Sequence, residues 1–137
     1  MDRPVAVVTG VGPGTGSAIV RRLAAGGYDV AMLARSRGRL ASLEKDVQHA
    51  KAYACDVSDE AEIEASLAAL RRDMGSPSVL VHNAVGGAWG TFQDIDPQIL
   101  NRNFQVNTMA LLHLARRLAP AMAERGSGAI VATGNTS

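Results

Sequence analysis

Short apolar runs alternate with amphipathic stretches along the whole chain. A strand is predicted where aliphatic and β-branched residues cluster and a glycine or polar residue follows. The five predicted strands are Val5–Thr9, Asp29–Ala34, Ala52–Cys55, Val79–His82 and Ala129–Thr133. Apolar residues at helical spacing between the strands predict four helices: 15–26, 37–48, one from Ser58 or Asp59 to Gly75, and a long one from Asp96-Pro97 to about Met122.

This alternation predicts the fold class. Strands joined by helical segments of this length run parallel, and their right-handed crossovers place helices on both faces of the sheet. The strands are nearly continuous apolar runs, as expected when both faces are covered. We therefore predict a single α/β domain over residues 1–137, built on a doubly wound parallel sheet.

The residues of chemical interest directly follow the predicted strands. The glycine-rich residues 10–16 follow the first strand, and Arg35 follows the second. Asp56 follows the third strand, residues 83–87 follow the fourth, and residues 135–137 follow the fifth. Ligands of such sheets bind at the carboxyl ends of the strands. We therefore expect these loops to converge on one site at a single edge of the sheet.

Composition and charge exclude several classes of partner. The chain has 137 residues, 47% of them hydrophobic, and a formal net charge of +1. This balance gives no reason to expect nucleic acid or an anionic membrane as a partner. The single cysteine, Cys55, cannot form an internal disulfide, so a cytoplasmic location is expected. The three histidines show no paired ligand spacing, so no metal site is predicted.

The stretch TGVGPGTG at residues 9–16 joins the first strand to the first helix. A phosphate bound at a helix N-terminus needs free backbone N–H groups and close approach, and glycine supplies both. No Gly-Lys-Ser/Thr follows, so a nucleotide-triphosphatase P-loop is excluded. The alternative is a tight strand-to-helix turn without a ligand.

Thr9-Gly10-x-x-x-Gly14-x-Gly16 resembles the cofactor motif of the short-chain dehydrogenase/reductase family. Four further segments resemble that family in the same order: Asp56-Val57, HNAVGG at 82–87, Val106-Asn107 and GAIVAT at 128–133. The resemblance implies a Rossmann fold with strand order 3-2-1-4-5, incomplete at the C-terminal side. It also implies cofactor contacts from Gly10, Gly14, Thr15, Gly16, Arg35, Asp56, Val57, Asn83 and Ala84.

Arg35 bears on the choice of cofactor. An NAD-specific site places Asp or Glu after the second strand, where it binds the ribose 2′-hydroxyl. A guanidinium in that place pairs with a 2′-phosphate. NADP(H) is therefore favoured over NAD(H), with Arg37 as a candidate helper. The alternative is a solvated loop arginine.

Several site residues also have plain structural interpretations. Asp56 could cap the next helix, in competition with Ser58 and Asp59, and Asn83 could be a turn residue. Asn107 is expected on the apolar side of the long helix, where an unpaired amide would be costly. The resemblance implies that Asn107 interrupts this helix and takes part in a proton relay, whereas the alternative is a core hydrogen bond.

The resemblance implies carbonyl reduction or alcohol oxidation, with a serine and a Tyr-x-x-x-Lys motif supplying the proton chemistry. Ser137 is the candidate serine, although ungapped counting places that position near Asn135. The sequence contains no Tyr-x-x-x-Lys. We therefore expect the chain to be the N-terminal part of a longer enzyme and to be inactive alone. The alternative is a small nucleotide-binding sensor or partner subunit.

The remaining expectations concern partners and a competing class. The resemblance implies a small-molecule carbonyl or alcohol substrate and a homodimer or homotetramer that associates through the long helix. An S-adenosylmethionine methyltransferase also has a glycine-rich loop after its first strand. Such an enzyme would need an acidic residue at the end of the second strand, a place that Arg35 occupies here.

Overall fold

The computed structural model describes residues 2–134 as a five-stranded parallel sheet with α-helices on both faces. The strands are β1 (Val5–Thr9), β2 (Asp29–Ala34), β3 (Ala50–Ala54), β4 (Val79–His82) and β5 (Ala129–Ala132). Their order in the sheet is β3-β2-β1-β4-β5, and every neighbouring pair is parallel. The predicted fold class and strand order are therefore confirmed.

Five α-helices connect the strands: α1 (Thr15–Ala25), α2 (Ala41–Asp46), α3 (Glu60–Met74), α4 (Pro97–Phe104) and α5 (Ala110–Arg125). A 3₁₀ turn over Arg37–Leu40 precedes α2, and a π-helical turn over Gln105–Met109 joins α4 to α5. Side-chain carboxylates cap two of the helices, because Asp59 accepts N–H groups of α3 and Asp96 accepts one of α4.

Two apolar cores lie on opposite faces of the sheet. On one face, α3 and α5 bury leucines such as Leu67 and Leu114 against Leu33 and Leu80 of the sheet. On the other face, α1 and α2 pack against the strands through residues such as Val20. All five residues of β1 are buried, which agrees with a central strand covered on both sides.

The two outer strands differ from the prediction. β3 begins at Ala50 rather than Ala52, because the charged Lys51 hides the start of the strand in the sequence. The amine of Lys51 lies 2.8 Å from the carboxylate of Asp73 on α3. β5 is exposed along its whole length, in contrast to the nearly continuous burial expected of a parallel strand.

The predicted long helix is divided into two helices. Its start at Asp96-Pro97 is as expected, but the π-helical turn separates α4 from α5, and the helix ends at Arg125 rather than near Met122. Among residues 2–134, no helix is long and apolar enough to cross a bilayer. Because β1 lies between β2 and β4, the strand order reverses there, and a crevice at that switch point is the expected ligand site.

Candidate functional site

A cavity of about 540 Å³ opens at the carboxyl ends of the strands. This volume is within the range of small-molecule sites. Loops after β1, β2, β3 and β4 line the cavity together with α4 and the π-helical turn. The lining residues are Gly10, Val11, Leu33, Ala34, Arg35, Ser36, Arg39, Cys55, Asp56, Val57, Ala84, Val85, Gly86, Arg102, Asn103 and Val106.

The three motif glycines occupy three different environments. Gly10 has φ +67°, and a Cβ there would lie 2.5 Å from the Ala84 nitrogen. A Cβ on Gly16 would overlap the Gly10 carbonyl oxygen and lie 2.7 Å from Val11 Cα. Gly14 has no atom within 4 Å of such a Cβ and precedes α1. Gly10 therefore turns the chain, Gly16 allows close packing, and Gly14 leaves open space at the helix N-terminus.

The N-terminus of α1 is suited to an anionic group. Among the described residues, the N–H groups of Thr15 and Gly16 have no hydrogen-bond acceptor, whereas Ser17 donates to the Gly12 carbonyl. Free donors at a helix N-terminus attract phosphate through hydrogen bonds and the helix dipole. The donors and the open space at Gly14 thus fit the pyrophosphate of a dinucleotide.

The hydroxyl of Thr9 organises the switch point between β1 and β4. Its oxygen accepts the backbone N–H groups of Asn83 and Ala84, each at 3.0 Å, and lies 2.9 Å from Nδ1 of His82. The side chain of Asn83 extends this network, since Nδ2 donates to the Gly10 carbonyl and Oδ1 accepts from the Thr133 hydroxyl. Asn83 is therefore more than a turn residue, because it ties the glycine loop to the end of β5.

His82 has a defined tautomer in this network. Because the Thr9 oxygen already accepts two N–H groups, its own proton goes to Nδ1 of His82. The Nε2–H then donates to the Val106 carbonyl at 3.0 Å. Burial disfavours the charged ring and lowers the pKa of His82. His82 therefore uses both ring nitrogens in hydrogen bonds at the end of β4.

Asn107 holds the loop after β4 against the π-helical turn. Its Oδ1 accepts the Gly86 N–H at 2.7 Å, and its Nδ2 donates to the Gly86 carbonyl at 3.0 Å. The expected burial of Asn107 is wrong, because the residue is exposed. The helix is interrupted at this residue, and π-helical turns of this kind often occur at functional sites.

The end of β2 forms a basic rim on the cavity. Arg35, Ser36 and Arg39 line it, and Arg35 is exposed. The guanidinium of Arg37 instead lies 3.9 Å from the carboxylate of Glu44 and outside the lining. Arg39, and not the predicted helper Arg37, therefore lines the cavity beside Arg35.

Asp56 lines the same cavity just after the end of β3, the strand that pairs with β2. Its Oδ1 accepts the N–H of Ser58 at 3.0 Å and the Ser58 hydroxyl at 2.6 Å, while Oδ2 lies 3.5 Å from the Arg102 guanidinium. Burial alone would raise the pKa of Asp56, but the bonds from Ser58 and the charge of Arg102 hold it below its ordinary value. Asp59, not Asp56, caps α3, so the capping alternative for Asp56 is excluded.

Hydrophobic residues complete the cavity. Cys55 is 2% exposed and unpaired, and burial raises its thiol pKa to about 11, as expected of a small core residue. Val57 follows on the same loop. Trp89 and Phe92 are 99% and 89% exposed, so in this structure neither ring packs against the cavity.

The structure brings together most of the predicted site residues. Those that line the cavity are Gly10, Arg35, Asp56, Val57 and Ala84. Gly14 and Thr15 are not among the lining residues. Gly16, Asn83 and Asn107 do not line the cavity either, but each contacts a residue that does. Ser137 and its alternative Asn135 lie outside the described residues. No group of three or more His, Cys, Asp or Glu side chains within residues 2–134 could hold a metal ion.

Three residues at the site were missed by sequence reasoning. The role of the Thr9 hydroxyl depends on contacts with β4, more than 70 residues away in the sequence. Arg102 and Arg39 look like ordinary surface arginines of helical segments. One sequence signal could have indicated Arg102. It lies in the predicted helix that follows the loop after β4, and that loop was already expected at the site.

Comparisons with known proteins agree with this geometry. A family model described as short chain dehydrogenase matches residues 4–137. The 2,3-dihydro-2,3-dihydroxybenzoate dehydrogenase of Bacillus subtilis is 30% identical over 139 residues, which cover 98% of this chain and 53% of that protein. The chain spans about half the length of the curated relatives it matches.

Two solved structures show the same fold. A variant of actinorhodin polyketide ketoreductase with NADPH is 31% identical, with a TM-score of 0.89, over 96% of this chain and 54% of that one. A 3-ketoacyl-(acyl-carrier-protein) reductase from Brucella melitensis, complexed with NADH, is 26% identical, with a TM-score of 0.86, over 96% of this chain and 57% of that one. The match of the family model to nearly the whole sequence shows that the chain belongs to the short-chain dehydrogenase/reductase family.

Proposed function

We propose that this chain forms the cofactor-binding part of an NADP(H)-dependent oxidoreductase that transfers a hydride between nicotinamide and a carbonyl or alcohol substrate. The observation that carries the cofactor choice is the basic rim at the end of β2. Arg35, Ser36 and Arg39 line the cavity there, and the one carboxylate among the described lining residues is Asp56, at the end of β3. The two guanidinium groups and the serine hydroxyl of the rim could bind a 2′-phosphate. The rim has no acidic side chain that could bind a ribose 2′-hydroxyl instead.

The remaining cofactor contacts follow from the geometry of the cleft. The free N–H groups at the start of α1 would hold the pyrophosphate, and Asp56 with Val57 would border the adenine. Asn83 and Ala84 lie beside the glycine loop, where they would border the rest of the dinucleotide. When bound, NADPH supplies the hydride, while the contribution of this chain is to bind and orient the cofactor.

The two solved neighbours bind different cofactors, NADPH in one and NADH in the other, so family membership leaves the preference open. The charge at the end of β2 is the physical discriminator in this chain. Pro13 in the glycine loop offers no N–H, so the loop adds little to 2′-phosphate binding. We therefore assign the preference for NADP(H) mainly to Arg35, with Arg39 in support.

The test is the substitution Arg35→Asp, measured by fluorescence titration with NADPH and with NADH. Loss of charged hydrogen bonds to a phosphate should raise the Kd for NADPH by roughly 10- to 100-fold. The Kd for NADH should not rise, because NADH carries no 2′-phosphate and an aspartate in this place can accept a hydrogen bond from its ribose 2′-hydroxyl. Arg37→Asp is the matched control, because Arg37 carries the same charge two residues away but does not line the cavity. Equal weakening of both cofactors by Arg35→Asp would refute the assignment.

The catalytic residues are proposed on the family resemblance. Asn107 is the candidate relay residue in this chain, and the π-helical turn exposes its amide beside the cavity. Ser137 remains the candidate serine. The proton donor of the family belongs to a Tyr-x-x-x-Lys motif, which these 137 residues do not contain. We therefore assign turnover to the whole protein and only cofactor binding to this chain alone.

Substrate, assembly and location are proposals of the same kind. A small carbonyl or alcohol compound is the proposed substrate. A homodimer or homotetramer is supported by apolar side chains exposed along α4 and α5, which are Ile99, Leu100, Phe104 and Leu112. A cytoplasmic location is supported by the free, buried thiol of Cys55.

A further inference from the structure

Arg102 joins two parts of the cavity that are 46 residues apart in the sequence. It belongs to α4, yet its guanidinium lies 3.5 Å from Oδ2 of Asp56 and 3.4 Å from the hydroxyl of Ser58, both at the end of β3. Arg102 and Asp56 both line the cavity. The arginine therefore lies at the end of the cavity where, under the proposed function, the adenine of the cofactor is bound.

The two oxygens of Asp56 differ in their surroundings. Oδ1 is occupied by two bonds from Ser58, which orient the carboxylate from one side. Oδ2 has Arg102 as its partner, at a distance longer than a strong ionic hydrogen bond. An ionised carboxylate has about four acceptor sites in total. Oδ2 therefore keeps the capacity to accept a hydrogen bond from a group in the cavity.

The ion pair between Arg102 and Asp56 contributes little to folding. The side chains are 48% and 28% exposed, and partly exposed pairs with long contacts typically stabilise a protein by less than about 1 kcal/mol. Arg102 is thus free to serve the ligand site. A substitution at this exposed position of α4 should also leave the fold intact.

We propose that Arg102 is a positioning residue for base recognition, which holds Oδ2 of Asp56 in place to accept a hydrogen bond from the exocyclic amine of adenine. This inference rests on the proposed function. A carboxylate accepts a hydrogen bond from an amine, but it repels a carbonyl oxygen in the same place. The pair therefore selects adenine over hypoxanthine, whose corresponding substituent is a carbonyl.

A simpler role would be electrostatic. Arg102 could attract the phosphates of any dinucleotide by its charge alone, and its loss would then weaken all such ligands by the same factor. The positioning role instead changes the ratio of two affinities, because it acts through Asp56 on one substituent of the base. The ratio separates the two roles even when both Kd values increase.

The experiment uses the whole protein and two probes, NADPH and its analogue with hypoxanthine in place of adenine. Wild type should bind NADPH about tenfold more tightly than the hypoxanthine analogue, which is the difference that one hydrogen bond to a charged acceptor can make. Arg102→Gln should reduce this ratio to about twofold or less, and Arg102→Lys should restore part of it because the ammonium keeps the charge near Asp56. Arg116→Gln, at an exposed arginine of α5 outside the cavity lining, should leave the ratio unchanged.

Each other outcome has a definite meaning. An unchanged ratio in Arg102→Gln, with the far-ultraviolet circular dichroism of wild type, overturns the positioning role. Equal binding of both probes by wild type overturns it as well, while the proposed function stands. If wild type binds neither probe, the proposed function has failed and the inference fails with it.

Discussion

The Thr9→Val substitution tests whether one buried hydroxyl holds the switch point together. Valine has nearly the shape of threonine, but it can neither accept nor donate a hydrogen bond. Thr9 is 0% exposed, and its hydroxyl serves the amides of Asn83 and Ala84 and the ring of His82. The substitution therefore removes three hydrogen bonds without opening a cavity.

The magnitude follows from the surroundings of the three orphaned groups. A buried polar group left without a partner costs about 1–3 kcal/mol. His82 is buried, so its Nδ1 should incur a cost within this range. Asn83 and Ala84 are only half-buried, so water can reach their amides and lower the cost for each. We expect a total loss of ~3 kcal/mol in the free energy of unfolding.

The assay is urea-induced unfolding followed by circular dichroism, at a pH where His82 is neutral and with the m-values compared. Thr9→Ser is the control, because it keeps the hydroxyl and deletes one methyl group, at a cost of ~1 kcal/mol. We expect Thr9→Val to be less stable than Thr9→Ser. The reasoning is wrong if Thr9→Val is as stable as wild type, or if it is more stable than Thr9→Ser.

Two further predictions concern the same edge of the sheet. Gly16→Ala should lower the free energy of unfolding by about 1–3 kcal/mol and weaken NADPH binding, because its Cβ would overlap the backbone of Gly10 and Val11. Gly12→Ala, whose Cβ would meet no atom within 4 Å, should stay within about 0.5 kcal/mol of wild type in urea unfolding; similar losses in both variants would contradict the packing argument. His82 should make the native state less stable in acid, because its pKa in the native state is below the ordinary value of 6.5. As the pH falls below 6.5, the histidine of the unfolded chain takes up a proton, whereas the buried ring of the native state does not. Urea unfolding at several pH values should show this loss, by at most ~1.4 kcal/mol per pH unit, and His82→Asn should flatten the profile.

The strand pattern was predictable because buried parallel strands are short apolar runs. β1, β2 and β4 have the bounds that the sequence predicts. β3 begins two residues earlier than predicted. An edge strand tolerates a charged residue such as Lys51, and that charge makes the start of the strand look like a loop in the sequence. β5 was correctly located within one residue, but its exposure depends on what lies beside it and not on its own composition.

The long helix shows a limit of periodicity. Apolar residues at helical spacing run through the π-helical turn, so the pattern alone predicts one continuous helix. A π-helical turn widens the helix by one residue and rotates the side chains that follow. Asn107 consequently turns outward to Gly86, although counting along an ideal helix places it on the buried side.

The sequence by itself determined the succession of strands and helices along the chain, the glycine turn, and the position of the candidate site residues after the strands. These features depend on local preferences, such as the positive φ of Gly10 and the capping carboxylates of Asp59 and Asp96. The tertiary structure decided which arginines face the cavity and which partner each polar group finds. Arg39 rather than Arg37 reaches the rim, and Arg102 reaches Asp56, because such contacts join residues that only the packed sheet and helices bring within a few ångströms.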